Sequence, residues 1–598
     1  MSIFSFIFLL LAFISFSATL HAQPTFTKDI APILYTQCIT CHRPGQAAPF
    51  SLIQYEEVKK RSRQIAEVTA SRYMPPWLPD PSVNHFVGER RLTDAQIALF
   101  AEWHRSGTPQ GDPSALQPPP KFNDDWQLGA PDLIIRLPQE FILPAEGRDV
   151  YRNFVIPIPT LSNRYVRGFE FRPGNLAVSH HAFFRMDRTS NSRAIDAREP
   201  GLGFPGMDTP STAESPQGHF LSWQPGKRSS FNPPGLSWTL HRGADLLIQM
   251  HLQPTGKPEP LQPEVALYFT DQPPTNQPFK LNLTSFRFSI PPGDTNYLVT
   301  DSYTIPVDLD LLRILPHAHY LGRRLESYAI LPDGSKKDLL LIPEWDFNWQ
   351  GDYEYAQPIS LPKNSVLHMR FSYDNSTNNH RNPGNPPRQV SYGVQTTDEM
   401  AEIWLQVLPR NTNDLALLRA DHEKRALRDI LDYNQYRLTL NPRDPKAHLR
   451  LGQALLALGQ HQDALLSIRK AAELDPAFDE PLYQLGVMSR MSGDLDNAKR
   501  FFKRVITLNP AYALAHGNLG LISLQEGDFR RAESYLKKAV ELDPLDFISH
   551  DSLGLIYREL GQLDKAATHF KAAVEANPAD PEAKAHLESL LQLRQGLK

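Results

Sequence analysis

Only two cysteines occur in 598 residues, Cys38 and Cys41, and they stand three apart. A disulfide framework is therefore excluded, and whatever these thiols do, they do together. Excess charge is missing too. Lys+Arg 62 against Asp+Glu 66 leaves a net charge of −4, too weak a field to mark nucleic acid or an acidic membrane surface as the ligand. Beyond residue 20 no apolar run approaches the ~18 residues that a membrane span requires. Nor is the chain poor in apolar residues: 41% hydrophobic and 21% charged are the proportions of folded globular protein, and the length predicts about four domains. Proline is in surplus, 53 residues, most of them before residue 400. That favours loops and strands over helices there.

Residues 3–20 are almost wholly apolar and lead into His21-Ala22-Gln23, which reads as a secretory signal, residues 1–22, cut after Ala22. No Lys or Arg precedes the run and Leu20 is large for its place, so an uncleaved anchor is the alternative. Either reading puts the bulk of the protein outside the cytoplasm. Cys38-Ile39-Thr40-Cys41-His42 is a C-x-x-C-H arrangement, in which two thiols add to the vinyl groups of haem while the adjacent imidazole binds iron from the same side. Zinc would want a second ligand pair, and a thioredoxin-like pair a βαβ pattern; neither surrounds it. The flanks, FTKDIAPILYTQCITCHRPGQAAPFSL and RYMPPW, resemble a small class I cytochrome c. The resemblance implies a small all-α module over 23–112 with covalently attached haem c, a helix ahead of the motif and a sixth ligand from a later loop. Met74 is the candidate, with His85 and His104 as alternatives. LTDAQIALFAEWHRSG has helical apolar spacing and closes the module near 112. A proline-rich linker over 113–130 follows, and haem attachment outside the cytoplasm points to a bacterial periplasm or envelope.

Residues 131–410 read as strands. Runs such as DLIIRL, ADLLIQMHLQ, NYLVTDSYTI and EIWLQVL are separated by turn-forming LPDGSKK, NSTNN and NPGNPP, which suits two antiparallel β-sandwiches, 131–275 and 276–410. Histidine placement is the informative part: His180-His181, His251, and His317-Ala318-His319, the last putting two rings on one strand face. Any one of these alone would be read as structural; three such sites in thiol-free sandwiches suit a metal. Imidazoles with a thioether suit copper.

Here the chain resembles the copper type II, ascorbate-dependent monooxygenases, the family of peptidylglycine α-hydroxylating monooxygenase, with jelly-roll-like sandwiches. The resemblance implies two coppers: one at His180, His181 and His251 relaying an electron, the other at His317, His319 and Met400 activating dioxygen against a substrate C–H bond. Met400 is matched through Thr396-Thr397-Asp398-Glu399-Met400. Departures from the family are definite. No disulfide braces this segment. Leu315 stands where the peptide-hydroxylating member carries a substrate-gripping arginine, and Trp404 replaces a tyrosine, so peptidylglycine is not the expected substrate and a more apolar pocket is. His219, His241, His368 and His380 are assigned to surface or structural roles. Met250 and Met369 are rival thioethers, although adjacency to His251 turns Met250 to the opposite face.

Pro442, Pro476, Pro510, Pro544 and Pro578 recur every 34 residues, as do Gly452, Gly486, Gly520 and Gly554, and Ala464, Ala498, Ala532 and Ala566. This period resembles tetratricopeptide repeats, whose paired helices need small residues where they cross. Four repeats fill 445–580, after a helical connector (411–444) and before a capping helix (581–598). Such arrays present a surface to a protein partner; a rigid spacer or dimerisation element is the alternative. Together these features lead to an exported copper monooxygenase supplied with electrons by haem, acting on an unidentified substrate with dioxygen. A non-catalytic haem and repeat scaffold, and a copper-delivery protein, are the competing readings.

Overall fold

The computed structural model describes residues 23–596 apart from 47, 122–125, 148, 189–190, 198, 208, 211, 394 and 578–579. The expected signal segment and Pro578 lie outside the described residues. Two compact units result: Met1–Trp77 with Gly88–Asp124, and Leu78–Val87 with Asp125–Lys598. No helix among the described residues is long and apolar enough to cross a membrane.

In the first unit, α1 (Ala31–Gln37) runs up to the cysteine motif and α2 (Asp94–Arg105) closes the module. Thr93 starts α2 with reciprocal bonds: its hydroxyl accepts from the Gln96 N–H (3.2 Å) and the Gln96 side chain accepts from the Thr93 N–H (2.9 Å), satisfying two otherwise orphaned donors. Phe26, Ile30, Leu34, Phe100 and Trp103 share one core. The boundary differs from the sequence expectation, because residues 78–87, inside the predicted 23–112 module, belong to the second unit. Pro79 and Pro81 deny this stretch a helix. It joins the edge of a strand instead: the Val87 N–H donates to the Glu354 carbonyl (2.8 Å), the Ala356 N–H donates to the His85 carbonyl (3.0 Å), and Phe86 packs on Tyr353 and Tyr355.

The second unit begins with two antiparallel sheets. One orders Leu133–Arg136, Glu264–Thr270, Arg164–Arg172 and Trp238–Leu240. The other is centred on β1 (Val150–Pro157), β2 (Ser179–Asp187) and β3 (Asp245–Leu252), with β3 between its neighbours. Strand alternation sends Phe154, Phe184, Ile248 and Met250 into a core shared with Phe171, Trp238 and Val265 of the first sheet, and leaves the opposite face for His251 and its neighbours. A second pair of sheets follows. One comprises β4 (Phe279–Thr284), β5 (Leu309–His317), β6 (Tyr353–Leu361) and β7 (Glu402–Pro409) in the order β4-β7-β5-β6; the other orders Tyr297–Thr304, Val366–Tyr373, Gly322–Ile330 and Lys336–Ile342. Ion pairing links the two halves: Lys227 donates to buried Asp352 at 2.7 Å, and Arg313 stands 3.8 Å from the same carboxylate.

The 29-residue helix α3 (Thr412–Leu440) is capped by Asn411, whose side chain accepts from the Asp414 N–H. It covers the free edge of β4. The Asn282 N–H donates to His422 Nε2 (3.3 Å), the Tyr303 hydroxyl donates to Asp421 (2.8 Å), and Arg425 pairs with Asp301. Edge strands left open are pairing hazards. Four helix pairs then stack: Pro445–Ala457 with His461–Leu474, Asp479–Met491 with Leu495–Leu508, Ala513–Gln525 with Phe529–Leu542, and Phe547–Glu559 with Leu563–Ala576, ending in Pro581–Gly596. The periodic glycines have a steric reason. A Cβ on Gly486 would stand 2.7 Å from Phe502, and one on Gly520 2.5 Å from Leu536, so the small residue lets its partner helix carry a large one.

Candidate metal centre

His251 on β3 lies opposite Tyr151 on β1 and His181 on β2. On a regular strand the adjacent His180 would face the other way. A register shift places it in a bulge, since β3 pairs His251 with His181 but Leu252 with Ser179; the extra residue re-aims its side chain. His180, His181 and His251 consequently offer ligand nitrogens all within 4.8 Å of one another.

Their protonation can be argued from their partners. His251 is fully buried, and its Nε2 lies 2.7 Å from an Asp149 carboxylate oxygen. The carboxylate accepts, so Nε2 carries the proton and the Nδ1 lone pair is left for the cluster. That Nδ1 is buried without a hydrogen-bond partner, as is Nε2 of His180. Tyr151 stacks on the His251 ring at 4.3 Å, fixing its plane. Burial lowers the His180 pKa to about 4 and pushes His181 well below the usual imidazole range, with the neighbouring His251 charge adding in both cases. Neutral imidazoles are what a metal requires. The His180 and His181 Nδ1 atoms are 3.0 Å apart, close to the ~3 Å separation of two nitrogens that each sit ~2.0 Å from one ion. An orphaned buried nitrogen, a carboxylate behind it and three converging rings fit a metal.

The second histidine pair ends β5. His317 Nδ1 bonds the Gln350 side-chain oxygen (2.6 Å), and His319 Nδ1 bonds the Asp398 carbonyl (3.1 Å). Both acceptors fix the proton on Nδ1 and leave Nε2 for a ligand role. Their rings lie 5.2 Å apart at 87°. Burial, then the neighbouring His317 charge, lowers the His319 pKa to about 3. Met400 is tied to this turn through one carboxylate. Glu399 accepts from the backbone N–H of His319, of Leu321 (2.9 Å) and of Met400 (2.8 Å), while the Met400 carbonyl accepts from the Tyr373 hydroxyl (2.7 Å). Burial raises the Glu399 carboxyl to about 8 against those bonds. Of the rival thioethers, Met250 lies in the core of the first sandwich; Met369 and Met400 are both buried, 1% and 8% exposed.

Phe347 stands between the two histidine groups, 6.1 Å from His180 and 5.7 Å from His319 by ring centroid. Those two distances end to end bound the separation of these rings at about 12 Å. Asp149, Gln350, Glu399 and Phe347 escaped the sequence reading. Only Glu399 lay within a quoted motif, and its buried role has no signal in composition. Of the residues set aside, His219 is buried with Nε2 unpartnered, its pKa brought to about 3 by burial and then by the Arg313 charge.

In the first unit the cysteine motif forms one helical turn after α1: the Cys41 and His42 N–H groups both donate to the Cys38 carbonyl (3.1 and 3.0 Å). The thiols are not joined in a disulfide. Burial, then Cys41, raises the Cys38 thiol to about 12. His42 Nδ1 donates to the Phe50 carbonyl (3.2 Å), which turns Nε2 outward for iron. Two thiols and an oriented imidazole on a single turn fit covalent haem. Met74 follows in the same unit, its N–H bonded to the Val68 carbonyl. His104 Nδ1 is engaged with the Ser62 hydroxyl (3.0 Å), and His85 belongs to the second unit.

Comparison with known proteins speaks to the helical repeats. Tetratricopeptide repeat models match residues 445–478, 491–547 and 524–581. No curated protein matches the chain. Among solved structures, a crystal structure of MamA is 29% identical over 26% of this chain and 94% of its own, with a TM-score of 0.24. YrrB, described as a TPR protein with an unusual peptide-binding site, is 21% identical over 28% of this chain and 85% of its own, TM-score 0.25. On the family-model matches, the C-terminal array of this otherwise β-rich, multidomain chain consists of tetratricopeptide repeats.

Proposed function

We propose that the protein is an exported copper-dependent monooxygenase that receives electrons through a covalently bound haem c and recruits a protein partner through its repeats. The observation that carries this reading is the cluster of half-buried His180 and His181 with buried His251, which has an unpartnered His251 nitrogen and Asp149 behind it. Copper held there, and at His317, His319 and Met400, supplies one-electron redox chemistry at the first set and dioxygen chemistry at the second. Insertion of one oxygen atom into a C–H bond consumes dioxygen, two electrons and two protons, and yields water beside the product. The residues divide that labour. Asp149 and Tyr151 hold His251 in one tautomer and one plane; Gln350 and the Asp398 carbonyl do the same for His317 and His319; Glu399 holds the turn of His319 against Met400. Phe347 fills space between the two groups. Cys38 and Cys41 would carry the haem, with His42 and Met74 on its iron.

A second reading has its own support. The repeats are the part of the chain matched by known proteins, and tetratricopeptide arrays bind proteins, which favours a haem-bearing scaffold without catalysis. Metal analysis and a visible spectrum of the chain produced with haem-attachment machinery decide between them. About two coppers per chain, an acid-stable haem spectrum lost in Cys41→Ser, and substrate-dependent oxygen uptake lost in His319→Ala and Met400→Ala are expected. A haem protein without copper makes it the scaffold, and copper without oxygen uptake makes it a delivery protein.

A further inference from the structure

One short stretch of the second sandwich, residues 345–352, reaches both histidine groups. Trp345 Nε1 donates to the His319 carbonyl (3.1 Å). Two residues on, the Phe347 ring lies against His180 on one side and His319 on the other, and packs on Tyr320 at 4.6 Å. Three further on, the Gln350 side-chain oxygen accepts from His317 Nδ1. The stretch lies outside the strands. Its regular piece is a single turn, Phe347–Trp349, capped by Asp346, whose side chain accepts from the Asn348 N–H (3.0 Å). Without a ladder to hold it, its position must come from its two ends.

One end is fastened within its own sandwich. The Trp345 N–H donates to the Arg323 carbonyl (2.7 Å), and Arg381 pairs with Asp346 at 3.1 Å. The other end is fastened to the opposite sandwich. Asp352 is 1% exposed, and its carboxylate accepts from Lys227 Nζ (2.7 Å) and from the Ser222 hydroxyl (3.2 Å). Lys227 also donates to the Ser222 carbonyl (3.0 Å) and hydroxyl (2.9 Å), so the three groups close a ring of hydrogen bonds across the interface. Ser222 is placed in turn by the strand that carries His181: it pairs with Phe183 of β2, and its neighbour Trp223 with Ala182. A path therefore runs from His181 through β2, Ser222, Asp352 and Gln350 to His317, and every step is a covalent bond, a strand pairing or a hydrogen bond. A buried ion pair adds little stability over apolar residues of similar volume, but its hydrogen bonds fix distance and angle as an apolar contact does not.

We propose that residues 345–352 are a brace that sets the spacing between the two histidine groups, and that Lys227, Ser222 and Asp352 are the positioning residues that anchor it. The proposal rests on reading those groups as two metal sites. Phe347 is the spacer between them, Gln350 aligns His317, and Asp352 ties both to the opposite sandwich. The anchor belongs to neither ligand set, so its loss leaves each group's own residues in place and changes the gap between them. A displacement of ~1 Å between reacting groups costs on the order of 100-fold in rate, which is why a contact that touches no substrate can matter to the reaction.

Pulsed dipolar EPR reads the spacing without metal. The full chain carries Cys38→Ser and Cys41→Ser, with nitroxides at Leu161→Cys and Leu298→Cys, exposed positions on opposite sandwiches. The parent should give one narrow distance. Lys227→Met with Asp352→Leu, expected to melt near the parent, should at least double the width of that distribution, and Lys227→Met alone should broaden it too. An unchanged distribution in both variants, or a broad one in the parent, overturns the proposal. Copper(II) supplies the second readout. With an ion at each group, the dipolar coupling between the two should fall at least twofold in the double variant, while each site keeps its affinity. Unchanged coupling overturns the proposal, because the stretch would then hold the sandwiches and not the histidines. Affinity lost at either site overturns it as well, by making the pair a support of that site alone. A chain that binds no copper sinks the oxygenase reading and leaves the brace to be decided by the nitroxide distances.

Discussion

Asp149→Ala isolates what a carboxylate does for a proposed metal ligand, His251, that it holds from behind. His251 is fully buried, whereas the Asp149 side chain keeps 38% of its exposure. In the metal-free protein the pair is therefore close to a surface interaction, and its loss should cost only about 0.2–1 kcal/mol of stability. With metal the same contact acts differently. It holds the proton on Nε2, keeps the Nδ1 lone pair directed at His180 and His181, and raises the basicity of the ring. Loss of such a partner typically weakens metal binding 10–100-fold, or about 1.4–2.7 kcal/mol. The assay is competition for copper(II) against a chelator of known affinity at pH 7, beside thermal melting of the stripped protein. Asp149→Ala should lower affinity at one of two sites by 10–100-fold and shift melting little, while His251→Ala abolishes that site. Unchanged copper affinity, or a large melting loss with no metal present, would refute the reasoning and make the pair merely structural.

Lys227→Met leaves the Asp352 carboxylate, 1% exposed, with Arg313 at 3.8 Å as its remaining cation; stability should fall by about 3 kcal/mol in urea unfolding, and Lys227→Met with Asp352→Leu should recover most of it. Phe347→Ala removes a buried ring between the two histidine groups and should cost about 3–5 kcal/mol if the cleft cannot collapse, read as a lowered denaturation midpoint. Acid should loosen α3. Burial, then the Arg425 charge, lowers the His422 pKa to about 4, whereas the unfolded ring titrates near 6.5. Protons thus bind the unfolded chain first as pH falls from about 6.5 to about 4. Stability drops across that window by up to about 3 kcal/mol, less for a half-buried ring, and His422→Gln should flatten the loss measured by denaturation at pH 7 and pH 5.

Sequence legibility follows the range of the interactions. The 34-residue period is local and repeated, so the four helix pairs were readable; the steric reason, Gly486 under Phe502, was not, because it lies between helices. C-x-x-C-H is legible for the same reason: its three groups share one turn. The histidines of the sandwiches were readable as residue types, yet the bulge that lets both His180 and His181 face inward depends on the pairing of β2 with β3. The supporting carboxylates were beyond reach. Asp149 is 102 residues from His251, and Glu399 is 80 from His319. Residues 78–87 were assigned by sequence continuity, and strand pairing with Tyr353–Leu361 overrode it.

Helix α3 has a mechanical consequence. Its 29 residues contain neither glycine nor proline, so it is a rod of about 43 Å without a built-in joint. One end is bolted to β4 through His422, and the other opens the repeat array. A load applied to the repeats reaches the second pair of sheets with little slack to absorb it, which turns the array from a tail into a handle.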